Sequence, residues 1–169
     1  PRDEVDTLMS LLVEYVEKEL ASLERNGVRV RVLGNIGGLP MDAQKQIFKA
    51  IEKTSHNTIL NLQIALNYGG RTELLEAVRT ICANVKKGKI KPEEISEEMI
   101  SNHLYTAGLP DPDLMIRSSG EMRISNFLLW QSAYTEYWVT STLWPDFTAS
   151  DLYRAINDYQ HRHRRYGGL

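Results

Sequence analysis

Two β-rich runs, VRVRVLG from Val28 and NTILNLQIALNYGG from Asn57, both stop at glycine, and the stretch between them, MDAQKQIFKAIEKT, has its apolar residues at helical spacing. Strands alternating with amphipathic helices predict an α/β domain on a mostly parallel β-sheet flanked by helices. The rest of the chain continues the alternation. Upstream, Val5, Leu8, Leu12, Tyr15, Val16, Leu20 and Leu23 recur at three and four, a one-faced helix from Asp3 to about Arg25 that Asn26-Gly27 ends. Downstream, RTELLEAVRTICANVKKG and KPEEISEEMISNHLY read as helices, DLMIR as a strand, SNFLLWQSAY as a helix, EYWVT as a strand, and Ala149 to Arg165 as a final helix. No repeat or linker interrupts this order, so residues 1–169 are expected to form a single domain.

Composition narrows the function classes. A chain of 169 residues that is 42% hydrophobic and 25% charged suits one globular core. A net charge of −2 gives no support for a nucleic-acid partner, although HRHRRYGGL makes the ending basic. One cysteine, Cys82, excludes an internal disulfide and a multi-cysteine zinc cage, in keeping with a reducing, cytoplasmic location. No apolar run approaches the roughly 20 residues needed to cross a bilayer, and PRDEVDTLMS lacks the features of a signal peptide. Peripheral membrane contact stays open.

Ligands of parallel α/β sheets gather beyond the carboxyl ends of strands, and three such ends carry unusual loops: RVLGNIGGLP, ALNYGGRTE and MIRSSGEMRISN. In the first two the glycines most simply make turns, and neither is a Walker A loop or a full dinucleotide fingerprint. The third is more specific. Arg117 ends an apolar strand, where a cation needs a partner, and Arg123 lies in the same loop. Two guanidinium forks suit a diphosphate, and Ser125 reads as an N-cap of the following helix, where amides favour an anion. The competing structural reading pairs an arginine with Glu121 and leaves Ser125 as a cap only. Glu136 stands among aromatic neighbours, where its charge calls for either a structural partner or a metal bridging it to a phosphate. The histidines show no zinc spacing, and no GxSxG or Cys/His nucleophile signature occurs. The aromatics Trp130, Tyr134, Tyr137, Trp138 and Trp144 suit a core, an apolar cavity wall or a dimer contact.

DPDLMIRSSGEMRISNFLLWQSAYTEYWVTSTLWPDF, with RVLGNIGGLP, ALNYGGRTEL, YTAGLPDPD and the terminal RRYGG, resembles the signature regions of the cis-prenyltransferases, most closely the bacterial undecaprenyl diphosphate synthases. The likeness runs essentially from Pro1 to Leu169. It implies an apolar tunnel within the α/β fold, lined by the first helix and by Leu62, Ile64 and Leu66. It also implies isopentenyl diphosphate bound by Arg117, Arg123 and Ser125, with Arg165 of the Arg-x-Gly ending reaching that diphosphate from the second subunit of a homodimer. Glu136 matches a magnesium-associated glutamate, and Glu121 and Arg71 match positions near the site.

The reaction implied is condensation of isopentenyl diphosphate with farnesyl diphosphate to a long-chain polyprenyl diphosphate that serves as a cell-wall lipid carrier. The family's His-x-x-x-Met-Asp-Gly-Asn-x-Arg-Trp motif is not among these residues. The chain is therefore expected to be the later, N-terminally incomplete part of a synthase, with no catalytic residue of its own and little activity alone. Two alternatives remain at this level: a non-catalytic partner subunit, and a general phosphate-binding α/β module.

Overall fold

The computed structural model of the protein describes residues 2–163. They divide at Tyr68/Gly69 into two compact units. The first contains α1 (Arg2–Arg25), β1 (Val28–Leu33), a 3-10 turn at Ile36–Gly38, α2 (Met41–Thr54) and β2 (Leu60–Ala65). As the alternation predicts, β1 and β2 pair in parallel, with Val28 opposite Leu60 and Leu33 opposite Ala65. Val28, Val30 and Leu33 are buried together with Leu20 of α1 and Ala43, Ile47 and Ala50 of α2.

Two polar residues at the end of α2 complete this core. The Thr54 hydroxyl donates to the Ala50 carbonyl and accepts from the Val30 amide, while the Asn57 amide donates to the Val28 carbonyl. Backbone groups of β1 that β2 does not pair are satisfied in this way, which is the condition for burying them. The predicted stripe of α1 is only partly used for packing. Leu20 is buried, but Val5, Leu8 and Tyr15 are 54%, 59% and 57% exposed, so the first turns of α1 present an apolar face without cover in this unit.

The second unit contains α3 (Gly70–Lys86), a 3-10 turn at Pro92–Glu94, α4 (Glu97–Ser101), β3 (Leu114–Arg117), β4 (Glu136–Val139), a 3-10 turn at Trp144–Asp146 and α5 (Ala149–Gln160). Strands β3 and β4 are again parallel, Leu114 opposite Glu136 and Arg117 opposite Val139. The fold is α/β with parallel strands and helices, as expected.

Three helical expectations are corrected. KPEEISEEMISNHLY is not one helix: the Lys91 amide bonds to the Glu94 carboxylate, the chain extends at Ile95, and Ser96 begins a new short helix by accepting from the Met99 amide. The final helix stops at Gln160, and Arg164 and Arg165 lie outside the described residues. SNFLLWQSAY forms turns rather than a helix, because Ser125, Asn126 and Leu128 adopt left-handed backbone conformations that a right-handed helix cannot contain.

Candidate active site

The loop after β3 is held by its neighbour before any side chain is considered. Past Arg117 the amides of Ser119 and Gly120 donate to the carbonyls of Thr142 and Thr140, so the segment leaving β3 is tied to the segment leaving β4. Among the described residues five non-glycine positions have positive φ, and four of them, Ser119, Ser125, Asn126 and Leu128, fall within this one stretch. Such conformations persist only where surrounding contacts impose them, and they concentrate at working sites.

Arg117 closes β3 half-buried, and its Nε is buried without a hydrogen-bond partner. A buried donor left unmet costs about 1–3 kcal/mol, so this nitrogen marks a place where an acceptor belongs. Arg123 is mostly exposed, at 70%, and forms an ion pair with Glu121. An exposed pair of this kind is worth about 0–1 kcal/mol, so an anionic ligand offering two oxygens exchanges for Glu121 at little cost. Glu121 thus partners Arg123, the pairing weighed from the sequence, and does not pair with Arg117. Ser125 is exposed and left-handed, with φ 48°, and is not a helix N-cap, since no helix follows it.

The stretch after Ser125 docks on α3. The carbonyl of Asn126 accepts from the Gly70 amide at 2.8 Å, and its side-chain Oδ1 accepts from the Arg71 amide at 2.9 Å. A Cβ on Gly70 would come within 2.8 Å of Leu129 and 3.2 Å of the Asn126 carbonyl, and one on Gly69 within 2.9 Å of the Asn126 amide. Gly70 of ALNYGGRTE permits this close approach. Behind it, Glu73 is 2% exposed and accepts from the Tyr105 amide and from the side chain of Gln131, which also donates to Thr106. Tyr105 donates to Glu76, and burial together with that carboxylate pushes its phenol up to about 12, so it remains a donor.

Residues 1–167 match the family model described as "Putative undecaprenyl diphosphate synthase". The chain belongs to the cis-prenyltransferase family. Over all 169 residues it is 56% identical to an isoprenyl transferase of Heliobacterium mobile and spans 65% of that relative's length. It is 50% identical to an isoprenyl transferase of Clostridium perfringens, of which it spans 67%. Among solved structures, lavandulyl diphosphate synthase from Lavandula x intermedia, in complex with dimethylallyl diphosphate, superposes with a TM-score of 0.96 at 35% identity, over 99% of this chain and 73% of that one. A probable undecaprenyl diphosphate synthase from Campylobacter jejuni gives 0.86 at 33% identity, over 99% of this chain and 76% of that one.

Within this family member the residues singled out from the sequence divide into two groups. Arg117, Glu121, Arg123 and Ser125 share one loop, and Asn126 brings Arg71 to it through the first turn of α3. Glu136 stands apart from Arg117 along the strand pair. It starts β4 opposite Leu114, three residues from the pair Arg117 and Val139, about 10 Å away along the strand.

Glu136 has a structural partner, one of the two possibilities that the sequence left open. Arg162 donates to Glu136 at 2.9 Å, to the Tyr137 carbonyl at 2.8 Å and to Asp158 at 2.6 Å, and Asp158 followed by Glu136 pushes the guanidinium above its ordinary range. Among the described residues no three His, Cys, Asp or Glu side chains converge to hold a metal. These residues therefore do not complete a magnesium site, and Glu136 is a single carboxylate already engaged. Arg165 lies outside the described residues.

Asn126, Glu73, Gln131 and Arg162 had no distinguishing signal in the sequence. Only the apposition of distant segments gives them roles. The aromatic run also divides: Tyr134 and Trp144 are 60% and 68% exposed, while Trp130, Tyr137 and Trp138 are half-buried. A cavity of about 500 Å³ at Trp130 and Tyr134 is lined also by Glu97, Glu98 and Asp111, a setting unsuited to a diphosphate. No helix among the described residues is long and apolar enough to cross a membrane.

Proposed function

We propose that this chain is the later part of a cis-prenyltransferase catalytic domain in which the loop from Arg117 to Ser125 holds the diphosphate of isopentenyl diphosphate. The observation that carries this reading is the buried, unpartnered Nε of Arg117, six residues before an arginine that a surface carboxylate holds only weakly. A diphosphate presents several anionic oxygens, enough to satisfy Arg117 and to replace Glu121 on Arg123. The exposed Ser125 hydroxyl adds a neutral donor at the far end of the loop.

In this reading the arginines orient isopentenyl diphosphate so that its double bond faces the first carbon of an allylic diphosphate such as farnesyl diphosphate. The allylic carbon–oxygen bond breaks, diphosphate leaves with the electron pair, and the π electrons of isopentenyl diphosphate form the new carbon–carbon bond. Loss of a proton from the adjacent carbon leaves a cis double bond and a product five carbons longer. Fixed cations beside the departing charge supply much of the stabilisation in such reactions. Magnesium belongs to the family reading, but the described donors do not complete a site for it, and nothing above depends on it. The uncovered apolar positions of α1, Val5, Leu8 and Tyr15, are candidates for the wall along which a growing chain leaves water.

The finer proposals are an undecaprenyl-length product for a cell-wall lipid carrier, a cytoplasmic homodimer in which Arg165 reaches the neighbouring site, and peripheral membrane contact at product release. The test is incorporation of labelled isopentenyl diphosphate by the full natural chain, with farnesyl diphosphate and magnesium. Long cis-polyprenyl products support the reading. Binding of isopentenyl diphosphate without turnover indicates a non-catalytic partner subunit, and absence of both removes the proposal in favour of a general anion-binding module.

A further inference from the structure

The left-handed stretch after Ser125 has no part in the chemistry just described, yet much of the backbone irregularity of the second unit is concentrated there. Ser125, Asn126 and Leu128 have φ of 48°, 60° and 48°. Asparagine tolerates this region better than most residues, and leucine tolerates it poorly, so the conformation must be imposed from outside the loop. Four contacts with α3 help to impose it: the Asn126 carbonyl on the Gly70 amide, its Oδ1 on the Arg71 amide, Leu129 against Gly70, and the Gln131 side chain on buried Glu73. Two first-turn amides of α3 that would otherwise attract an anion, those of Gly70 and Arg71, are thereby used by the protein itself.

We infer that Asn126 is a positioning residue for the diphosphate loop: by capping the first turn of α3 through both its backbone and its side chain, it fixes where Ser125 and Arg123 stand relative to Arg117. The inference rests on the proposal that this loop binds isopentenyl diphosphate, and assigns to α3 the part of a rigid mould for the loop rather than of a second anion site. It also accounts for Gly70, where a Cβ would press on both Leu129 and the Asn126 carbonyl and push the loop off the helix; at Gly69 a Cβ would press only on the end of the Asn126 side chain.

The test is calorimetric titration of isopentenyl diphosphate, with thermal melting in parallel, on the full natural chain carrying Asn126→Gly, Asn126→Ala or Gly70→Ala. Asn126→Gly keeps the left-handed backbone and loses only the contact with Arg71, so its Kd should rise about fivefold; Asn126→Ala adds backbone strain and should reach about tenfold or more. Gly70→Ala leaves the loop sequence intact and should weaken binding as well. In kinetics the KM for isopentenyl diphosphate should rise while that for the allylic substrate stays within twofold.

Unchanged Kd values with lowered melting temperatures would mean that the contact serves stability alone, which overturns the inference. Should Asn126→Ala fail to fold, the Gly variant and Gly70→Ala decide. If the unsubstituted chain binds isopentenyl diphosphate and Arg117→Ala abolishes it, while Asn126 and Gly70 variants bind normally, the loop assignment stands and only this inference falls. If the unsubstituted chain does not bind it, both fall.

Discussion

Arg117 sits where stability and binding pull in opposite directions. Its unmet Nε burdens the empty protein, so Arg117→Ala should leave the melting temperature unchanged or raise it. The same change removes a charge-assisted contact and should raise the KM for isopentenyl diphosphate about tenfold to a hundredfold, with little effect on the allylic substrate. Arg123→Ala, which loses only an exposed ion pair in the empty state, should show the binding defect without the gain in stability. Equal losses toward both substrates would remove the assignment.

A second residue-scale expectation concerns acid. Asp151 accepts from the hydroxyl and amide of Thr148 and from Arg154, and these bonds, the Thr148 hydroxyl first, hold its carboxyl at about 2 against an ordinary 3.8. A carboxyl depressed on folding stabilises the protein above its unfolded value and loses that contribution as pH falls through the folded one. Melting temperatures of the unsubstituted protein and Asp151→Asn should therefore converge between about pH 4 and about pH 2, and a constant difference would contradict the capping role.

Among elements, the seam between α2 and β1 depends on one hydroxyl. Thr54→Val keeps the shape but orphans the buried Val30 amide, which should cost about 1–3 kcal/mol in denaturant unfolding. A smaller loss would mean that the strand edge finds another partner. The elements also show where pattern reading succeeds. Helices α1, α2 and α3 and strands β1 to β4 follow from periodicity and β-prone runs, with glycine or asparagine ending α1, α3, β1 and β2, signals that neighbours do not change. SNFLLWQSAY has helical periodicity too, yet forms turns. There the partners are Gly70, Arg71 and Glu73, far away in sequence, and their bonds to Asn126 and Gln131 outweigh local propensity.

For the whole molecule, the homodimer reading gives a quantitative expectation. If Arg165 completes its neighbour's site, inactive Arg117→Ala and Arg165→Ala chains mixed equally should recover roughly a quarter of full activity, because half the dimers then contain one intact site. No recovery after verified subunit exchange would place both arginines in the same copy's site.

Residue types and spacing alone determined the α/β class, the parallel pairing and the loop that carries Arg117, Glu121, Arg123 and Ser125, because hydrophobic period, turn residues and clustered cations are local properties of a chain. The tertiary structure alone decided that the Nε of Arg117 is buried without an acceptor while Arg123 pairs with Glu121, that Arg162 already holds Glu136 at the other end of the strand pair, and that Asn126 fastens the loop to α3. Those outcomes depend on which distant segments share a buried surface, and neither period nor composition encodes the distances that settle them.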